Sequence, residues 1–333
     1  RFRYGTGPGG DVGPLVAAVA GGALHFLDGR GNALPPWPPA LPGVRDSLVT
    51  CTPVVLDSLV FVGCADGWIR ALAPGLVSTV RARFRAGDEA VRSLGAGMLH
   101  AEGHETDLTL FWILDDGACG ALRWSGRAGD AAEPLFQAAS ASPDGGPAST
   151  EAWVLAAPSG PGGEERFLFA QGNGALEWRR TDGGLLPGWP ARLPVGLAGG
   201  PILCDADADG ALETVALDRG GRLHVLGEDG VPEFRWPKLL WSEDYVDPPE
   251  QECGPRALDV TGDGVPEILV NRADGFLLAL DGRGEDVPGW PLSLGMPGRA
   301  GPEYLPGGGG FAPRLALANT YWQDLQGQDQ TAF

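Results

Sequence analysis

Lysine is almost absent from this chain: Lys238 is the only one among 333 residues. Acidic residues outnumber basic ones 43 to 24, a formal net charge of −19. Phosphate binding needs clustered lysine and arginine, so this balance argues against a nucleic-acid partner. No apolar run approaches the roughly 18 residues that cross a bilayer as a helix. The longest candidate, residues 15–27, is broken by Gly21 and Gly22, so no integral membrane span is expected. There are five cysteines and no Cys-x-x-Cys pair, which leaves no framework for structural zinc. Gly-x-Ser-x-Gly, His-Glu-x-x-His and the phosphate-loop pattern are also missing, and with them the usual signatures of several enzyme classes.

Glycine and proline, at 54 and 30, are abundant. Both break helix interiors, so a helical protein is excluded. A hydrophobic content of 43% with 11 tryptophans argues against disorder. The length allows a large core and would by itself suggest two domains.

A short pattern recurs along the chain, a glycine followed by an alternating strand. Its copies begin at Gly22 (Gly-Ala-Leu-His-Phe-Leu), Gly67, Gly120, Gly174, Gly221 and Gly275, with spacings of 45 to 54 residues. The segment from Arg314 through Trp322 reads as a seventh copy. A second marker keeps the same phase: Trp-Pro pairs at Trp37, Trp189, Trp236 and Trp290. Each unit reads as short apolar strands separated by Asp- or Gly-containing turns. A period near 50 with several strands matches one blade of a β-propeller, in which neighbouring blades bury each other's faces. The expectation is therefore an all-β fold, a seven-bladed β-propeller with six or eight blades as alternatives. Residues 1–333 would form a single β-propeller domain, with the N-terminal strand, residues 1–6, closing the ring by completing the last blade. The chain opens on Arg1 rather than Met, which we read as a fragment or as the loss of a signal peptide or lipid anchor.

The most specific chemistry precedes two of the strands. Asp205, Asp207, Asp209 and Glu213 occupy positions 1, 3, 5 and 9 of a loop with Gly210 at position 6. Asp259, Thr261, Asp263 and Glu267 repeat the spacing around Gly264. Alternating oxygens on a tight loop point at one centre, which suits a hard cation of flexible geometry, Ca²⁺, in one or two sites. The main-chain carbonyls of Ala211 and Val265 are the expected position-7 ligands. No helix pattern flanks the loops, so they are not EF-hands.

With their following Gly-x-Leu and Gly-Trp-Pro-like segments, these loops resemble the FG-GAP or VCBS repeats of integrin-α-like β-propellers. That resemblance implies calcium-binding loops and a six- to eight-bladed fold. It also implies a secreted or surface protein used in adhesion, carbohydrate binding or assembly, and in some cases an enzyme. Units 1 to 4 and 7 depart from the loop motif. Segments such as the one at Gly22 are also similar to the quinoprotein-type repeat.

Cys51 and Cys64 flank a predicted hairpin turning at Asp57 and Ser58, opposite each other for a cross-strand disulfide. Cys204 and Cys253 lie about one repeat apart and are candidates for a bridge between blades; the alternative is five buried thiols. His25 and His224 share one repeat position, which marks them as structural. Two segments interrupt the period. Residues 140–165, rich in Gly, Pro, Ser and Ala, read as an exposed loop. Residues 241–252 are acidic and carry Trp241 and Tyr245, candidates to contact a glycan or a protein partner.

The sequence thus favours a non-catalytic, extracytoplasmic (periplasmic, cell-surface or secreted) calcium-binding propeller. Its role would be a protein-interaction scaffold or an accessory subunit of a larger assembly. Two other readings stand beside it: a lectin-like carbohydrate-binding propeller, and a polysaccharide-active or quinoprotein-like enzyme.

Overall fold

The computed structural model describes residues 16–20, 23–27, 48–56, 59–73, 79–98, 108–127, 129–140, 151–157, 165–241, 254–272 and 274–294, and four short strands beyond them. Every regular element among them is a strand. A first pair comprises β1 (Val16–Ala20) and β2 (Ala23–Leu27). Five four-stranded antiparallel sheets follow, each with its strands in chain order. The first is β3 (Val54–Leu56), β4 (Leu59–Gly63), β5 (Trp68–Ala73) and β6 (Thr79–Arg85). The second is β7 (Val91–Met98), β8 (Leu108–Leu114), β9 (Cys119–Trp124) and β10 (Glu133–Ala138). The third is β11 (Ala152–Ala157), β12 (Arg166–Gln171), β13 (Ala175–Arg180) and β14 (Ala191–Arg192). The fourth is β15 (Ile202–Cys204), β16 (Glu213–Leu217), β17 (Arg222–Leu226) and β18 (Lys238–Leu239). The fifth is β19 (Arg256–Leu258), β20 (Glu267–Asn271), β21 (Phe276–Leu280) and β22 (Leu292–Ser293). Two hairpins complete the list: β23 (Glu303–Leu305) with β24 (Arg314–Ala316), and β25 (Trp322–Gln323) with β26 (Asp329–Gln330).

These five sheets fall on repeats two to six, while repeats one and seven show as the pairs β1–β2 and β23–β24. The proposed closing strand, residues 1–6, lies outside the described residues. Contacts divide the chain into two compact units, residues 1–171 with 177–185 and residues 172–176 with 186–333.

In the first unit, β8 is buried along its whole length. Alternation sends its side chains to two different cores. Leu110, Trp112 and Leu114 pack with Phe61, Ile69 and Phe84 of the first sheet, and Phe111 and Ile113 pack with Phe167 and Phe169 of the third. Trp124 makes edge contacts with Phe61 and Phe84, at centroid distances of 6.3 and 5.3 Å. In the second unit, Val215, Leu217 and Val225 of the fourth sheet pack with Ile268, Val270 and Leu280 of the fifth. A strand buried on both faces reads as a continuous apolar run, which is why these strands showed no polar alternation.

Three features differ from the sequence expectation. The turn glycine of the second sheet is Gly117, not Gly120. Gly117 has φ 82°, and its amide donates to the Leu114 carbonyl at 3.0 Å. Gly221 and Gly275 make the same bond to Asp218 and Arg272. Gly120 instead lies inside β9, where a Cβ would meet the Trp112 ring at 2.6 Å. The matching segment is therefore Gly117-Ala-Cys-Gly-Ala-Leu, aligned with Gly67-Trp-Ile-Arg-Ala-Leu. Second, residues 140–165 are not all loop, since β11 forms inside them and pairs fully with β12.

Third, the expected Cys51–Cys64 disulfide is not formed. The hairpin register holds from Val54↔Phe61 to Leu56↔Leu59, but Cys64 then pairs with Val49. The chain has slipped by two residues, and Cys51 and Cys64 are free buried thiols. Cys204 is also free, so it makes no bridge to Cys253, which itself lies outside the described residues. Burial pushes the Cys51 and Cys204 thiols up to about 12, which keeps them inert near neutral pH.

Two of the Trp-Pro pairs, at Trp189 and Trp236, are latches between sheets of the second unit; Trp37 lies outside the described residues. Trp189 Nε1 donates to the Glu228 carbonyl of the next hairpin turn at 2.8 Å, and Trp236 Nε1 does the same to Gly282 at 3.0 Å. Both rings are buried. Around Trp236, Arg235 pairs with Glu285 at 2.6 Å, and Lys238, the sole lysine, donates to the Gly284 carbonyl. One sheet thus grips the turn of the next through an apolar ring and three donors.

Candidate functional site

The two carboxylate loops join β15 to β16 and β19 to β20, both in the second unit. They share one hydrogen-bond frame. At position 1, Asp205 accepts from the Gly210 amide at 3.1 Å, and Asp259 from the Gly264 amide at 2.9 Å. At position 5, Asp209 accepts from Ala211 N at 2.7 Å, and Asp263 from Val265 N at 2.9 Å. At position 9, Glu213 and Glu267 each accept from the position-2 amide, of Ala206 and Val260 respectively, at 2.7 Å. The chain turns through positive φ at position 6 in both loops, 91° at Gly210 and 92° at Gly264. Nothing crowds either glycine, so the residue type is set by backbone conformation alone.

The loops gather different carboxylates. In the first, oxygens of Asp205, Asp207 and Asp209 lie within 4.8 Å of one another. In the second the trio is Asp259, Asp263 and Glu267. Thr261, at position 3, turns its hydroxyl to Glu267 at 3.1 Å and Asp259 at 3.5 Å. Asp205 Oδ1 is buried with no hydrogen-bond partner. Such an atom is costly unless something satisfies it. A bound cation would meet that need, so the residues present fit the ion that their spacing suggested.

Electrostatics agree. Burial, and then the charges of Asp207, Asp209 and Asp205, push the Glu213 carboxyl up to about 7 despite the Ala206 amide. The Gly262 and Gly264 amides hold Asp259 below its ordinary value. Glu213 therefore titrates in the folded state well above its ordinary 4.5. The folded chain then holds that proton better than the unfolded chain, and its contribution to stability falls as pH rises from about 4.5 to about 7. In chelator, the stability of wild type minus that of Glu213→Gln should fall across this window. Chemical denaturation at stepped pH measures it.

Position 4 separates the loops. Ala208 has φ 64°, where the second loop has Gly262 at 82°. An L side chain is strained there, so Ala208→Gly should stabilise the protein by about 0.5–1 kcal/mol. A thermal melt would show the rise.

One acidic residue escaped the sequence reading. Burial, and then Asp207, Asp209 and Asp229, raise the Glu233 carboxyl, which places it in the field of the first loop. Its carbonyl accepts from the Trp236 amide as those of Leu186 and Val287 accept from Trp189 and Trp290. A charge at a position that is apolar in the flanking repeats was the available signal.

Other candidates take structural places. Trp241 is half-buried against the core of the fourth and fifth sheets, its indole covering Gly221. Tyr245 lies outside the described residues. His224 is buried and bonds Asp218 at 2.9 Å.

No protein-family model matches the chain, and no curated protein matches it. Solved structures do. Saccharomyces cerevisiae Sqt1 is similar with a TM-score of 0.57 and 11% identity, over 92% of this chain and 78% of that one. BamB from Moraxella catarrhalis is similar with a TM-score of 0.52 and 14% identity, over 87% and 76%. BBS1N, in a structure with ARL6DN, is similar with a TM-score of 0.52 and 14% identity, over 85% and 76%. All three are β-propellers. The chain folds as a β-propeller. Its five full sheets are blades, and each carboxylate loop leads from the first to the second strand of its blade. No helix of the described residues is long and apolar enough to cross a membrane.

Proposed function

We propose that this propeller is a calcium-stabilised, non-catalytic scaffold or accessory subunit acting outside the cytoplasm. The observation that carries the reading is the shared frame of the two loops, with a buried, unpartnered Asp205 oxygen in the first. Asp205, Asp207, Asp209 and Glu213, with the Ala211 carbonyl, would hold one ion. Asp259, Thr261, Asp263 and Glu267, with the Val265 carbonyl, would hold the second. The FG-GAP or VCBS resemblance supports the same assignment. When bound, calcium supplies positive charge that relieves repulsion among these carboxylates.

The first loop also touches the next blade. A Cβ on Gly282 would lie 2.1 Å from the Ala206 carbonyl, and Gly282 is the residue that Trp236 grips. A loop stiffened by calcium would therefore steady the junction between the fourth and fifth blades. Such loops in extracellular modules work at the millimolar calcium found outside cells, which supports an extracytoplasmic place. A rigid body with polar loops suits partner binding, and the similar BBS1N propeller was solved in complex with ARL6DN.

Native purification from the source in calcium, with mass spectrometry of co-migrating proteins, tests the scaffold role. A stoichiometric companion is expected. A lone monomer would overturn it.

A further inference from the structure

The first blade carries a surface whose charge is opposite to that of the chain. Its outermost strand, β6, has one paired neighbour, β5, and no described strand on its other edge. Arg83 and Arg85 are exposed on one face of β6, while Phe84, on the other face, is buried against Trp124; Arg81, also exposed, stands at a bulge, where the pairing steps from Ala71↔Ala82 to Leu72↔Val80. On β5, Trp68 stands opposite Arg85 and Arg70 opposite Arg83. The Arg83 and Arg85 guanidinium groups lie 5.1 and 5.6 Å from the Trp68 ring centre. Arg70 is tied to Asp66 at 2.6 and 3.0 Å, and Arg85 to the exposed Asp88 at 2.5 Å. Among the described residues, Arg81 and Arg83 make no ion pair. Like charges facing each other across strands are destabilising. Arg70 and Arg83 face each other in this way, and with Arg81 and Arg85 they gather four arginines against two paired aspartates, Asp66 and Asp88, in a chain of net charge −19.

We propose that this face and edge of β6 form a docking surface for an extended acidic segment of a partner protein, which adds as a strand beside β6. Three features select that occupant. A strand edge that no described strand covers offers main-chain donors and acceptors, which a polypeptide strand complements and a glycan does not. Arg83 and Arg85, two residues apart on one face, match the roughly 7 Å spacing of same-face side chains on an extended acidic strand, and the exposed Arg81 adds charge at the bulge beside them. The Trp68 ring already carries two guanidinium groups, so it is not free to stack on a sugar. The strongly acidic remainder of the protein does not prevent this, because exposed charges beyond about 8 Å are screened at physiological ionic strength. Arginines on an edge also repel basic strands, so one device excludes wrong partners and attracts the right one. The proposal gives the scaffold reading a partner class and rests on it for its use in the cell. The binding itself does not depend on the cation loops.

The test uses the full chain and an end-capped Glu-Val-Glu-Val-Glu-Val-Glu peptide, titrated calorimetrically at low and physiological salt. Two comparisons define the mode. One is the Arg81→Gln/Arg83→Gln variant, checked for an unchanged melting temperature. The other is a peptide with proline for each valine, which keeps the charge but cannot pair as a strand. Saturable one-to-one binding is expected, with slowed amide exchange over residues 79–85. At least a tenfold loss is expected with either the variant or the proline peptide. No saturable binding, or equal binding in either comparison, overturns the proposal. Native purification keeps the two readings apart. A companion that the arginine variant retains as well as wild type would refute this surface and leave the scaffold role standing. Peptide binding with no companion would do the reverse.

Discussion

Trp236→Ala should destabilise the protein by about 3–5 kcal/mol, the usual range for removing a buried tryptophan. The ring is buried between the fourth and fifth blades, and its Nε1 satisfies the Gly282 carbonyl at 3.0 Å. Both are lost at once, and the turn of the next blade is left without its grip. Trp236→Phe should cost less, because it keeps most of the apolar ring and forfeits mainly the hydrogen bond, about 1 kcal/mol. Trp189 makes the equivalent bond to Glu228, so its alanine variant should behave alike. Denaturant unfolding of the three variants measures these differences. Equal losses for alanine and phenylalanine would mean that the donor, not the ring, holds the blades together.

Removing calcium should lower the melting temperature of wild type and leave that of an Asp205→Ala/Asp259→Ala variant unmoved. Binding to the folded state alone stabilises by about 2.7 kcal/mol when free calcium is a hundredfold above Kd. These two aspartates are chosen because each also orders its loop through the amide of the glycine at position 6. In chelator the variant therefore tests the turn role alone. If it falls as far below wild type in chelator as in calcium, the aspartates act only as turn residues.

The repeat and its blade-like strands were legible because a propeller copies one unit and each copy needs a turn glycine. The loops were legible as turns because their geometry demands oxygens and a glycine at fixed short spacings, from Asp205 to Glu213 and from Asp259 to Glu267. Other features were not. The Gly120 assignment failed because Gly117-Ala-Cys-Gly offers two glycines three apart, and only the positive φ at Gly117 separates them. The Cys51–Cys64 pairing assumed that a register set at Leu56 and Leu59 persists, whereas it slips before Cys51. β11 was hidden inside a segment whose small residues dominate its composition. The Trp-Pro pairs kept the phase of the repeat in sequence, but the latch role of Trp189 and Trp236 depends on a carbonyl 39 or 46 residues away, which no local pattern reveals.

The most direct measurement is a calorimetric titration of chelator-stripped protein with calcium at neutral pH. Two bound ions per chain are expected. One should be lost with Asp205→Ala and the other with Asp259→Ala, and magnesium should compete poorly. No binding heat together with an unchanged melting temperature would contradict it, and would leave Asp205 to Glu213 and Asp259 to Glu267 as acidic turns.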